Sequence, residues 1–230
     1  MFLVDLVLHL DKHLSEWIGI LGNWTYIMLF GVIFIETGVV IMPFLPGDSL
    51  LFAAGTLAAL PASETGFQLN VVVLYIVLAL AAVVGDTANY WIGHKLGPRV
   101  FNEKIPFLKK EYLDKTHNFY EKHGNITIFL ARFIPIIRTF APFVAGIGSM
   151  SYGKFISYNI FGGIVWTALF IFGGYFFGNI PFVRDNFSLV IIAIVVISVL
   201  PAVFEVIKAK RQQPATPKSE IKKEASQADS

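Results

Sequence analysis

The stretch 34–55, FIETGVVIMPFLPGDSLLFAAG, combines features that seldom occur together. It is apolar enough for a lipid interior, yet it contains two acids, Glu36 and Asp48. Three residues that break or bend helices interrupt it: Pro43, Pro46 and Gly47. A proline inside a helix removes a hydrogen bond and clashes with the preceding turn. We therefore predict that the segment breaks in the middle and carries its acids to a defined place within a membrane.

The composition of the whole chain indicates an integral membrane protein. Of its 230 residues, 55% are hydrophobic and only 15% are charged, whereas soluble domains average about 25% charged residues. The chain has no cysteine, which excludes disulfides, thiolate metal ligands and a cysteine nucleophile. Its net charge of +2 is too small to indicate nucleic-acid binding. We expect one membrane domain over 1–207 and a disordered polar tail over 208–230.

Five apolar regions follow one another along the chain, and a full crossing needs about 20 apolar residues. They are 24–60, 69–93, 126–150, 155–178 and 186–207. The second, fourth and fifth are predicted to be transmembrane helices. The first and third are interrupted by proline and charge, so each is compatible with a complete crossing or with a re-entrant hairpin that enters and leaves on one side.

The basic residues distinguish between these possibilities for the third region. The connection 94–124 and the tail after 207 are both rich in Lys and Arg, and short basic loops prefer the cytoplasm. The fourth and fifth regions each cross once and return the chain to its starting side, so the third region must cross an even number of times. We therefore predict a re-entrant hairpin at 126–150, or two very short spans, with the loop 94–124 and the C-terminus cytoplasmic.

The predicted fold is an all-α membrane protein with an inverted repeat. A re-entrant hairpin at 24–60 is followed by the span 69–93, and an inverted copy follows at 126–150 and 155–178, with a C-terminal span at 186–207. Residues 1–22 have helical apolar spacing, which fits an amphipathic helix at the membrane interface or a helix packed on the outside of the bundle. Inverted repeats with broken helices at mid-depth are typical of secondary transporters, where the breaks form the substrate site.

The two broken regions carry opposite charges. The first has Glu36 and Asp48, and the second has Arg132 and Arg138. An ionisable residue at the centre of a membrane helix costs about 2.5–3.5 kcal/mol on insertion scales, so these residues are expected to meet. The planar fork of arginine suits phosphate, and a buried carboxylate can carry a proton at neutral pH. We predict a phosphate site at the arginines and proton coupling at the acids.

A structural interpretation of the same charges stays open, in which ion pairs only hold the hairpins together. Buried ion pairs stabilise proteins poorly, because desolvation cancels much of their attraction. Arg132 and Arg138 are six residues apart with Pro135 between them, and Pro142 is predicted to break the hairpin further. A third acid, Asp86, either extends a proton path or caps a helix break. The spacing of the histidines predicts no metal site, and no cofactor is expected.

Five stretches resemble the DedA family of bacterial inner-membrane proteins, which share a domain with eukaryotic proteins called VTT or SNARE-associated Golgi proteins. They are ETGVVIMPFLPGDSLLFAAGTLA, VGDTANYWIG, YLDKTHNFYEKHG, FLARFIPIIRTFAPFVAGIGSMSYGKFISYN and GGYFFG. The resemblance implies a multi-pass transporter of the bacterial inner membrane. Family members have been assigned as undecaprenyl phosphate translocases, some of them dependent on the proton gradient. They need membrane-embedded acids and arginines, which by motif are Glu36, Asp48, Arg132 and Arg138.

We therefore expect a proton-motive-force-coupled flippase for undecaprenyl phosphate or another polyprenyl phosphate, supporting envelope maintenance. The expected partners are that lipid or a phospholipid, protons or Na+, and the surrounding membrane lipids. The alternatives are an ion-coupled small-solute or cation/proton antiporter, a passive phospholipid scramblase and a structural membrane organiser. An enzyme such as a lipid phosphatase is not expected, because that chemistry uses a histidine nucleophile and all five histidines lie outside the apolar segments. The sequence predicts no particular oligomeric state.

Overall fold

The computed structural model describes residues 10–38, 47–96, 110–187, 189–194 and 196, and these ranges contain helices and no strand. In chain order the helices are α1 (Leu10–Leu21), α2 (Trp24–Gly38), α3 (Gly47–Ala58), α4 (Ala62–Thr65), α5 (Val71–Leu96), α6 (Lys110–His123), α7 (Thr127–Ala131), α8 (Pro135–Val144), α9 (Tyr152–Phe177) and α10 (Pro181–Asp185). A 3-10 turn at Gly124–Ile126 precedes α7, and a π-helical turn at Ala145–Ser149 follows α8. The prediction of an all-α protein is confirmed for the described residues.

The helices α5 and α9 are long and apolar enough to cross a membrane. Each has 26 residues, which is about 39 Å at 1.5 Å per residue and exceeds the hydrocarbon core of about 30 Å. Their outward faces carry exposed apolar side chains along their length, such as Ile76, Leu80 and Phe161. Such a surface is suited to lipid rather than to water. These helices coincide with the predicted spans 69–93 and 155–178.

The first broken region forms two short helices on either side of residues 39–46. The helix α2 has 15 residues and packs on α5, whereas α3 has 12 residues and packs along α9. At about 18–22 Å, neither helix spans the hydrocarbon core. Pro43 and Pro46, predicted to break the hairpin, lie outside the described residues. Gly47 is the first residue of α3.

The second broken region is interrupted between α7 and α8. Ile134 is extended, with φ −125° and ψ 104°, because the residue before a proline is pushed out of the helical region. Pro135 then begins α8, where its missing N–H costs nothing. The prediction that Pro142 breaks the hairpin is wrong, because Pro142 lies inside α8. Membrane helices tolerate such a proline when neighbouring groups bond to the backbone carbonyl that the proline leaves without its usual N–H partner.

Close contact between backbones fixes α3 against α9. A Cβ at Gly55 would overlap the carbonyl of Ile171, and a Cβ at Gly174 would overlap the carbonyl of Phe52. Small residues at such crossings let membrane helices approach closely, and dispersion contacts then hold them together. The crossing matters for function because it fixes the start of α3, where Asp48 lies, relative to the middle of α9.

The ends of the chain are described only in part. Leu14 and Ile18 are fully buried, so α1 packs against α3, while residues 1–9 of the predicted amphipathic helix lie outside the described ranges. Phe187 and Ile191 join the same apolar core. Residues 188, 195 and 197–207 of the predicted span and the tail 208–230 lie outside the described residues.

Candidate functional site: a buried cluster of acids and arginines

Arg138 joins the two arms of the first broken region. Its Nη1 donates a hydrogen bond to Asp48 Oδ1 at 2.9 Å, and its Nη2 donates to Glu36 Oε1. Glu36 lies in the last turn of α2 and Asp48 at the start of α3. Glu36 is 1% exposed and Arg138 is 8% exposed. The predicted meeting of both acids with an arginine from the second broken region is therefore present at Arg138.

Arg132, at the C-terminal end of α7, belongs to a different ion pair. Its Nη2 lies 2.5 Å from Asp86 Oδ2 and 2.5 Å from Asn159 Oδ1. Asp86 comes from α5 and Asn159 from α9, so Arg132 links the two long helices. Asn159 in turn donates from Nδ2 to the carbonyl of Val83 at 3.0 Å. Asp86, predicted as a proton-path or capping residue, is the ionic partner of Arg132.

Trp166 lies between the two ion pairs and is fully buried. Its indole Nε1 donates to Asp48 Oδ1 at 2.9 Å. The centroid of its ring is 5.2 Å from Cζ of Arg138 and 5.9 Å from Cζ of Arg132. Both guanidiniums are thus within cation–π distance of one ring. Trp166 therefore connects the two pairs.

Asn89 holds the backbone beside the Glu36–Arg138 pair. Its Nδ2 donates to the carbonyl of Thr37 at 3.3 Å and to the carbonyl of Thr139 at 2.8 Å. Thr37 follows Glu36 in the chain and Thr139 follows Arg138. One amide from α5 therefore fixes the residues next to both members of the ion pair.

Several polar atoms of this cluster are buried without a hydrogen-bond partner among the described residues. They are Nε and Nη1 of Arg132, Oε2 of Glu36 and Oδ1 of Asn89. Buried polar groups in folded proteins are almost always paired, so each exception calls for an explanation. With three carboxylates and two guanidiniums, the ionised cluster carries one net negative charge. It combines unused donors at Arg132 with an excess of acid.

Glycines make room for the charged side chains. A Cβ at Gly47 would overlap the carboxylate of Glu36, and a Cβ at Gly162 would lie 3.0 Å from Cδ and Nε of Arg132. The backbone of Gly47 does not need a positive φ. Gly47, predicted as a hairpin breaker, is therefore needed as glycine because Glu36 approaches it closely.

Sequence reasoning missed the residues that the long helices contribute. Asn89, Asn159 and Trp166 were not singled out, yet each makes a hydrogen bond within or beside the cluster. A signal was present in α9, where Asn159, Gly162, Gly163 and Trp166 occur at helical spacing and so share one face. A face of polar and small residues in an otherwise apolar helix indicates an inward-facing surface.

Comparison with known proteins places the chain in a family. The VTT domain model matches residues 45–176, a range that contains Asp48, Asp86, Arg132, Arg138 and Trp166. Protein DedA of Escherichia coli K12 is 53% identical over 91% of this chain and 94% of its own. A membrane protein of Mycobacterium tuberculosis is 43% identical over 89% of both chains. The inner membrane protein YqjA of Escherichia coli K12 is 30% identical over 68% of this chain and 69% of its own. No solved structure matches the chain significantly. The resemblance seen in the sequence is confirmed, and this chain belongs to the DedA family of membrane proteins.

Proposed function

We propose that this membrane protein is a transporter of the flippase class that moves a polyprenyl phosphate, undecaprenyl phosphate in the first instance, across the bacterial inner membrane together with protons. The observation that carries the proposal is the unused hydrogen-bonding capacity of Arg132. Two of its buried nitrogens, Nε and Nη1, have no hydrogen-bond partner among the described residues. A phosphate oxygen is the acceptor that a guanidinium binds best.

The depth of the cluster supports a transport role. Asp86 lies about 22 Å from the start of α5 and about 15 Å from its end, at 1.5 Å per residue. Trp166 lies at a similar depth in α9, about 21 Å from its start. Charges placed in the middle of long apolar helices are costly and typically mark a substrate or ion pathway. An isoprenoid tail can stay in lipid while only its headgroup enters such a site.

The charge balance supports coupling to protons. The ionised cluster already carries one net negative charge, and a phosphate headgroup would add more. A phosphate that takes Arg138 also separates it from Glu36 and Asp48, and an unpaired carboxylate in an apolar site favours its protonated form. Uptake of the headgroup is therefore expected to be accompanied by uptake of one or two protons.

The packing of the first broken region suggests how protonation could change access. Its arms pack on different long helices, α2 on α5 and α3 on α9, and Arg138 bonds to both arms. Protonation of Glu36 and Asp48 weakens both bonds and frees the α2–α5 pair to move relative to the α3–α9 pair. In the proposed topology, with the loop 94–124 and the C-terminus cytoplasmic and both broken regions re-entrant, this motion exposes the site to alternate leaflets.

The test is transport by purified protein in vesicles of phosphatidylethanolamine and phosphatidylglycerol that contain undecaprenyl phosphate. The fraction of lipid accessible in the outer leaflet is followed with and without a pH gradient. Arg132→Ala and Arg138→Ala should each reduce the rate at least tenfold, while Lys154→Ala, an exposed change on α9, should leave it within twofold. Normal transport by the Arg132→Ala/Arg138→Ala double variant would disprove the phosphate site.

The alternatives give different results in the same vesicles. A passive scramblase moves phospholipids at a rate that does not depend on the pH gradient. A cation/proton antiporter exchanges Na+ for protons without any polyprenyl phosphate, although two arginines in the cluster disfavour a cation as substrate. Either outcome, in the absence of polyprenyl phosphate movement, would overturn the proposal.

A further inference from the structure

We infer that Trp166 is a positioning residue that keeps Asp48 in the site when Asp48 separates from Arg138, and that it links this event to Arg132. The transport part of the inference rests on the proposed function. The linkage between Trp166 and Asp48 rests only on the contacts of the described residues, so that part can be tested without any substrate.

Two donors from different helices share one oxygen of Asp48. Nε1 of Trp166 and Nη1 of Arg138 both lie 2.9 Å from Asp48 Oδ1. The bond from Arg138 is charge-assisted and weakens strongly when the carboxylate is protonated. The indole N–H is neutral and can donate to Oδ1 in either state, provided that the proton is on Oδ2. Trp166 is therefore a contact of Asp48 that persists when Arg138 leaves.

The same ring adjoins both arginines. The two guanidiniums repel each other, yet each lies within about 6 Å of the ring centroid, where the ring quadrupole attracts a cation. Trp166 is fully buried, and a buried ring cannot shift without affecting its neighbours. A change at the Asp48–Arg138 pair is thus transmitted to Arg132 through the indole.

Other charged groups also act on Asp48. Arg138 from α8 bonds to it directly, and Glu36 from α2 bonds to the same guanidinium. Arg132 and Asp86 lie further along the contacts that lead through Trp166. The helix α1 also packs on α3. Its buried side chains among the described residues are Leu14 and Ile18, which are apolar and carry no charge. These charged groups and the indole donor therefore belong to the surroundings in which Asp48 acts.

The first experiment measures transport of undecaprenyl phosphate against pH in the same vesicles. Trp166→Phe keeps an aromatic ring but removes the N–H, so the KM should stay within about twofold while the maximal rate falls. The pH of half-maximal transport should rise, because the hydrogen bond that is lost is stronger to the charged carboxylate than to the neutral one. Trp166→Leu also removes the ring and should in addition raise the KM several-fold.

The control is Trp91→Phe, which changes an exposed tryptophan on α5 and should leave rate, KM and pH profile unchanged. Thermal stability is measured for all three variants, because loss of packing lowers stability without moving a pH profile. If Trp166→Phe lowers stability or rate but keeps the pH profile of the unmodified protein, the role of Trp166 is structural and the inference is wrong.

The second experiment needs no substrate. In a protein that retains only Trp166, with Trp17, Trp24 and Trp91 replaced by Phe, the indole emission is recorded as the pH is lowered from neutral. We expect a transition that Asp48→Asn abolishes and that Asp185→Asn, a change outside the cluster, leaves intact. Emission independent of pH, or a transition that survives Asp48→Asn, would overturn the inference.

The two experiments test different claims, so one claim can be disproved while the other stands. If the transition is present but the protein moves no polyprenyl phosphate, the proposed function is wrong and the linkage of Trp166 to Asp48 stands. If transport depends on the pH gradient but the transition is absent, the proposed function stands and the inference about Trp166 is wrong.

Discussion

Gly47 lies directly against the carboxylate of Glu36, and a Cβ at position 47 would overlap its atoms. Glu36 is 1% exposed and bonded to Arg138, so its side chain cannot move aside without breaking the ion pair. Overpacking of a buried site costs roughly 1–3 kcal/mol. We expect Gly47→Ala to lower the melting temperature in detergent and to reduce transport at least tenfold.

The matched control for this change is Gly31→Ala on α2, where a Cβ would meet nothing within 4 Å. An alanine there should be neutral or slightly stabilising, because alanine favours helix by about 1 kcal/mol over glycine. If both variants retain the same stability and the same rate, close approach does not explain the glycine at position 47.

The Arg132–Asp86 pair offers a way to separate a structural role from a functional one. Asp86→Leu leaves a buried arginine without its partner, which typically costs about 3–5 kcal/mol, whereas replacing both members by apolar residues is often neutral. The double variant Asp86→Leu/Arg132→Met should therefore recover most of the melting temperature that Asp86→Leu loses. It should remain inactive in transport, because the guanidinium is gone. Recovery of transport together with stability would mean that the pair only holds α5, α7 and α9 together.

The glycine face of α9 supplies a more subtle change at Arg132. A Cβ at Gly162 would lie 3.0 Å from Cδ and Nε of Arg132, and a contact of that length forces the neighbour to shift by a few tenths of an ångström. Misplacement of a positioning group by up to 1 Å can cost about a hundredfold in rate. We expect Gly162→Ala to reduce transport by tenfold or more with little change in melting temperature. Gly153→Ala on the same helix meets nothing within 4 Å and should be active, and equal rates for the two variants would contradict the prediction.

The sequence predicted the part of the site that depends on local signals. The break before Pro135 and the meeting of Glu36, Asp48 and Arg138 follow from the chemistry of proline and from the cost of unpaired charge in lipid. The partner of Arg132 depends instead on how α5 crosses α9. In α5 the polar Asp86 and Asn89 lie on one buried face, but the sequence of that face does not show which arginine it meets.

Two further differences between the expectation from the sequence and the structure have a similar origin. The sequence does not place Trp166 in the site, since tryptophan in membrane helices usually lies at the lipid interface, and only the three-dimensional packing shows that it is buried against Asp48. Pro142 was predicted to break a helix, but membrane helices can continue through proline when their surroundings satisfy the backbone. Both errors arose where tertiary contacts override a local preference.

Asn89 provides a final test of how the Glu36–Arg138 pair is held. Its Nδ2 donates to two buried carbonyls, those of Thr37 and Thr139, and a carboxylate in its place cannot donate to either. The carboxylate that replaces the amide is itself buried beside two carbonyl oxygens that repel it, and a buried polar group without a hydrogen bond costs about 1–3 kcal/mol. We expect Asn89→Asp, a change of nearly equal size, to lower the melting temperature and to reduce transport. Asn186→Asp alters a hydrogen bond that is exposed and should do neither. If Asn89→Asp leaves both the melting temperature and the rate unchanged, the amide does not hold the backbones of Thr37 and Thr139, and the alignment of Glu36 with Arg138 must come from helix packing alone.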